Sequence, residues 1–107
     1  MNAGSAHRVV LCTCPDEDVA GRIAAALVEE NLAACVNVLP RVLSIYRWQG
    51  SVERDTEALM IIKTTAGRYA ALEKRVQALH PYELPEIIAV PIAAGLQGYL
   101  DWLEQPQ

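Results

Sequence analysis

Apolar positions change their spacing from one segment of the chain to the next, and each change marks an element. Arg8-Val9-Val10-Leu11-Cys12 is a short β-branched, apolar run bounded by Thr13 and Pro15, the composition of a buried strand. Beyond it Val19, Ile23 and Leu27 recur four apart and define one face of a helix expected from about Pro15 to Glu30. Pro15 suits a first helical position, and Asp16, Glu17 and Asp18 put negative charge at the positive end of the helix dipole. Asn31 supplies a stop, after which Ala34-Cys35-Val36-Asn37-Val38-Leu39 returns to strand character until Pro40 interrupts the ladder. Val42 to Trp48 continues past that proline with partial alternation, and Gln49-Gly50-Ser51 supplies a turn, so a long bent hairpin arm is expected.

Glu57-Ala58-Leu59-Met60-Ile61-Ile62-Lys63-Thr64 is nearly continuous in apolar character, the pattern of a central strand. Thr64 or Thr65 is placed to cap a second helix, whose Tyr69, Leu72, Val76 and Leu79 fall at helical spacing and which ends before Pro81. Glu86 to Ile92 reads as a fourth strand with Pro91 at its edge or end, and Gly95 and Gly98 precede a short helix containing Tyr99, Leu100, Trp102 and Leu103. The order β-α-β, β-α-β plus a terminal helix, without a low-complexity linker, predicts an α+β fold. It is the ferredoxin-like split βαβ sandwich, with both main helices on one face of an antiparallel four-stranded sheet. One domain is expected over 8–107. Residues 1–7 have no apolar centre of signal-peptide length and read as a flexible tail.

Composition narrows the class. A chain of 107 residues with 52% hydrophobic content is long enough for one apolar core, and its apolar runs fall far short of a membrane span. The net charge of −4 offers no basic stripe for a nucleic-acid backbone, and Val9-Val10-Leu11 and Leu59 to Ile62 are aliphatic where an RNA-binding sheet needs stacking rings. No phosphate loop, dinucleotide fingerprint, glycine-framed serine or paired-histidine helix is present, so a hydrolase or kinase reading has no support. Three cysteines, an odd number without an export signal, read as reduced thiols of a cytoplasmic protein.

Cys12 and Cys14, two apart, share one face of a continuous strand, either as packing or as a soft-metal or redox pair; Cys35, inside an apolar run, reads as core. His80 precedes Pro81, which fixes its backbone in an extended conformation, and its ring either satisfies helix-end carbonyls or ligates a metal. Lys63 ends the most apolar strand, and Tyr82, Glu83 and Glu86 lie in a proline-locked loop; together they form a solvated rim or line a polar cleft in which Lys63 is the natural anion partner. Tyr46 and Trp48 near the hairpin tip are apolar groups that one small domain cannot cover, which points to self-association.

Five segments carry a more specific likeness: Val10-Leu11-Cys12-Thr13-Cys14-Pro15-Asp16, Leu32-Ala33-Ala34-Cys35-Val36-Asn37, Tyr46-Arg47-Trp48-Gln49-Gly50, Lys63-Thr64-Thr65 and His80-Pro81-Tyr82-Glu83-Leu84-Pro85-Glu86. In order and spacing, from about Arg8 to Leu103, the chain resembles the CutA divalent-cation-tolerance family. The resemblance implies a PII-like homotrimer built through the hairpin strands, with Tyr46 and Trp48 at its interface. It also implies a copper site, Cu(I) or Cu(II), or a site for another divalent cation. In the family that site is assigned to the cysteine matching Cys12 and to two consecutive histidines, whose positions are held here by Leu79 and His80. The leading expectation is a non-enzymatic, trimeric divalent-cation (copper) tolerance protein that binds a metal or a small anionic ligand in an intersubunit cleft near Lys63, His80, Tyr82, Glu83 and Glu86. Two alternatives are a structural or interaction trimer acting indirectly, and a small enzyme using Cys14 or a cleft carboxylate.

Overall fold

The computed structural model describes residues 6–105. Its elements are β1 (His7–Cys14), α1 (Glu17–Glu29), β2 (Cys35–Trp48), β3 (Ser51–Thr65), α2 (Ala66–Leu79), β4 (Ile88–Pro91) and α3 (Gln97–Glu104). The four strands form one antiparallel sheet in the order β2-β3-β1-β4, the split βαβ arrangement expected from the element order. Of the expected tail, residues 1–5 lie outside the described residues, and His7 is not tail-like: it opens β1, is buried, and its Nε2 lies 2.7 Å from Glu104 Oε2.

Strand alternation divides the sheet into two faces. Val10, Cys12 and Cys14 of β1 and Ala58, Met60, Ile62 and Thr64 of β3 are buried on one face, and all but Thr64 join the core cluster with Ala20, Ile23 and Leu27 of α1 and Leu72 and Val76 of α2. The intervening residues Val9, Leu11, Leu59 and Ile61 are only half-buried on the other face, and Ile88 and Val90 of β4 are exposed there. Cys35 pairs with Lys63 and so belongs to this second face, half-buried rather than in the core as its apolar neighbours suggested. The short α3 meets the His7 end of the sheet, where Leu103 is buried and Arg68 donates to the carbonyls of Leu103 (2.9 Å) and Glu104 (3.1 Å).

Caps and turns explain the element ends. The Asp16 carboxylate accepts from Val19 N at 2.9 Å, so α1 begins after it rather than at Pro15, and Asn31 (φ 58°) turns the chain out of the helix in the left-handed region. Neither threonine gives α2 a side-chain cap: Thr65 occupies the N-cap without such a bond, and the buried Thr64 Oγ1 donates instead to Leu32 O at 2.7 Å, tying the α1–β2 connection to β3. α3 starts at Gln97, which places Gly98 inside its first turn rather than before it. No helix of the described residues is long and apolar enough to cross a membrane.

β1 ends opposite Ala58, yet β2 and β3 run on together from Val42 and Glu57 to Trp48 and Ser51. The bend expected at Pro40 is a bulge between Leu39 and Val42, with Arg41 at φ 56°, and Gln49 and Gly50, both at positive φ, close the tip. The expected arm is therefore a two-stranded ribbon with no third strand beside it among the described residues.

Thr64→Val keeps the shape of the side chain but leaves the Leu32 carbonyl without its donor. It is expected to cost about 1–3 kcal/mol, read as a lower denaturant midpoint at fixed protein concentration.

Candidate functional site

Cys12 and Cys14, alternate residues of β1, point to the same side and are fully buried at the end of the strand. α2 delivers His80 to that end. Its backbone is extended (φ −79°, ψ 136°), as the following proline requires, and its N–H bonds Val76 O at 2.8 Å. The imidazole, 7% exposed, lies with Nε2 2.8 Å from Thr13 O and with Nδ1 accepting from Tyr82 N at 3.1 Å. These partners fix the ring as the neutral tautomer protonated on Nε2, which donates to Thr13 O.

One donor atom from each of Cys12, Cys14 and His80 lies within 4.8 Å of the others. The two residues expected as ligands, Cys12 and His80, thus meet within one chain, and Cys14 adds a third donor. Leu79, 37% exposed, carries no ligating atom. The Cys-x-Cys spacing gave the signal for Cys14, because alternate strand residues share a face.

The two thiols are electrostatically linked. A hydrogen bond from Cys12 lowers Cys14 below the ordinary thiol value of 9.0, against burial and the charges of Glu57 and Asp16. That hydrogen bond, then burial, then the negative charge of Cys14, Glu86 and Glu57 push Cys12 far up. Of the two thiols Cys14 is therefore the more acidic.

Beside this cluster a cleft of about 720 Å³ opens between the arm and the 81–86 loop. Tyr46 and Trp48 line it from the arm, Tyr82, Glu83 and Glu86 from the loop, and Glu57 from β3. Glu57 is 9% exposed and its Oε2 accepts from Tyr82 Oη at 2.6 Å; the Tyr82 ring also packs on His80, with centroids 4.7 Å apart. Burial first, then the hydrogen bond to Glu57 and its charge, push the Tyr82 phenol well above its ordinary value of 10.0. Tyr46 donates to Asp55, which raises its phenol to about 12.

Tyr82, Glu83 and Glu86 thus share one cleft, but Lys63 does not join them. It lies six residues along β3 from Glu57, level with Cys35 and Val9, and its ammonium is bonded to Asn37 Oδ1 and Ile61 O. The burial of Glu57 in the cleft follows from the Tyr82 hydroxyl closing over it just beyond the end of β1.

The sequence profile of the family described as "CutA1 divalent ion tolerance protein" matches residues 8–106. The "Divalent-cation tolerance protein CutA" of Thermus thermophilus is 59% identical over 99 residues, which are 92% of this chain and 96% of that one. "Protein CutA" of Homo sapiens is 50% identical over 93 residues, 87% of this chain; the chain spans about half (52%) of that protein's length. Among solved structures, the divalent cation tolerance protein of Thermus thermophilus superposes with a TM-score of 0.91 at 57% identity, covering 94% of this chain and 97% of the other. The protein titled "Periplasmic divalent cation tolerance protein CutA" from Archaeoglobus fulgidus does so at 0.89 and 41%, covering 92% and 95%.

The raised Tyr82 phenol carries a signed stability effect. A group whose folded value lies above its unfolded value of 10.0 contributes stability that is whole below that pH and is lost as pH climbs toward the folded value. Denaturant midpoints are expected to fall above pH 10.0, and Tyr82→Phe to fall less steeply over the same window; parallel curves would mean that the Tyr82–Glu57 bond is not held in solution.

Proposed function

Because the chain belongs to the CutA1 divalent ion tolerance family, we propose that it takes up copper as Cu(I) between Cys12, Cys14 and His80, and that it works as a homotrimer. The convergence of two buried thiols and an imidazole within 4.8 Å carries this reading. Thiolates select soft ions and imidazole also suits copper, so the donor set fits Cu(I) better than a hard cation such as Mg²⁺ or Ca²⁺. Cys14 supplies a donor where Leu79 stands in place of a histidine.

His80 must give up one of its two hydrogen bonds to ligate. That costs about 0.5–1.5 kcal/mol, small beside the order of 10 kcal/mol that thiolate–imidazole metal sites return. A reducing compartment such as the cytoplasm keeps both cysteines as thiols. The proposed role of this donor set is binding rather than turnover.

The arm and the half-buried sheet face support the trimer. A two-stranded ribbon is marginal alone in water, and Leu43, Ile45, Trp48 and Val52 of this one are each more than half exposed. Packing the ribbon, Tyr46 included, and Val9, Leu11, Leu59 and Ile61 against neighbouring copies removes that apolar surface from water.

Competition against a coloured Cu(I) chelator under anaerobic, reducing conditions is expected to show one Cu(I) per chain. Cys12→Ser and Cys14→Ala should each weaken uptake by more than the about tenfold typical of losing a ligand's outer partner, while light scattering returns three chains for all forms. Unchanged uptake in both variants overturns the copper site and leaves an interaction trimer; a monomer overturns the assembly.

A further inference from the structure

We propose that the cleft between the arm and the 81–86 loop binds a compact organic cation, an amine or quaternary ammonium whose charged head meets Glu57 and whose carbon body lies against Tyr46, Trp48 and Tyr82. The inference uses side chains other than the copper ligands and goes beyond the copper reading. About 720 Å³ is the size of a small-molecule site, and within one chain this cleft has aromatic and apolar walls.

Its charge has one sign. Glu57, Glu83 and Glu86 line it, and no lysine or arginine does. Lys63, the group that would favour an anion, is bonded to Asn37 and Ile61 away from the cleft. A negative, low-dielectric recess raises the local concentration of cations and repels anions.

Glu57 is the second observation. Nine-tenths of it is buried, yet a single neutral phenol on Oε2 is its only bonded partner among the described residues, and it forms no ion pair with them. Oε1 accepts from no donor among the described residues, and Glu57 is part of the cleft's lining. One neutral hydrogen bond does not repay the desolvation of a carboxylate, and a cation arriving at Oε1 does.

The rings decide between organic and inorganic cations. Faces of tryptophan and tyrosine attract alkylammonium groups, which shed water readily and bring apolar surface of their own. A hydrated divalent ion gains nothing from Trp48, Ile45 or Leu84.

Titration calorimetry at pH 7 and low salt, on the protein in its native oligomeric state, tests this with choline and putrescine as probes and citrate as the anionic control. Saturable uptake of either cation and none of citrate is expected. Glu57→Gln, which keeps an acceptor for Tyr82, should weaken it by about tenfold or more, and Glu83→Gln with Glu86→Gln, both at exposed positions, by a smaller factor. Cys12→Ser should leave it unchanged, so loss of copper uptake and loss of cation uptake are read separately. No uptake of either cation, including the case in which a neighbouring copy fills the cleft, overturns the proposal. So does equal uptake by Glu57→Gln, or preference for citrate.

Discussion

The imidazole of His80 joins two parts of the molecule that the chain keeps far apart in sequence. Its Nε2–H donates to Thr13 O on β1 and its Nδ1 accepts from Tyr82 N, so one nearly buried ring pins the loop after α2 to the end of the sheet. Everything of chemical interest hangs from that pin. Thr13 lies between Cys12 and Cys14, so the same bond that fixes the loop also sets the ring beside two thiols. The Tyr82 ring, packed on His80, reaches over to close Glu57 and shape the cleft. Pro81 contributes by holding His80 in the extended conformation from which both bonds are made.

A second constraint is the period of two along β1 and β3. It sends Cys12 and Cys14 inward with Val10, Met60 and Ile62, beneath α1 and α2, and leaves Val9, Leu11, Leu59 and Ile61 on the opposite face. The protomer therefore has one face satisfied by its own helices and another, continued by the arm, that is satisfied by further copies in the proposed trimer. The hydrogen bond between the thiols sets their unequal acidity, and their burial suits them to a soft ion, since no water competes with sulfur in that position.

Much of this was legible in the residues. The apolar runs at Val9 to Leu11 and Leu59 to Ile62, the four-residue spacing of Val19, Ile23 and Leu27, and the breaks at Pro40 and Gly50 predict the strands, helix and arm, because local pattern decides them. Features set by long-range partners were not. Thr64 is spent on Leu32 O instead of a cap, and His7 is held by α3. β4 starts at Ile88 rather than Glu86: the register that pairs Leu11 with Ile88 would put Glu86 opposite Thr13, whose carbonyl His80 has taken. The shared face of Cys12 and Cys14 followed from their spacing, but the arrival of His80 depends on where α2 lands. Lys63 was grouped with the cleft because it closes a strand, yet β3 runs antiparallel to β1, which puts that end away from Cys14 and Glu57.

The central claim is that Cys12, Cys14 and His80 of one chain act as a single donor set. X-ray absorption at the copper edge of the Cu(I)-loaded protein tests it most directly, because it counts ligand types around the metal. The account predicts a Cu(I) ion with two sulfur neighbours and one imidazole nitrogen, losing one sulfur in Cys14→Ala. A copper environment of nitrogen and oxygen alone, or one that Cys14→Ala leaves unchanged, would contradict it.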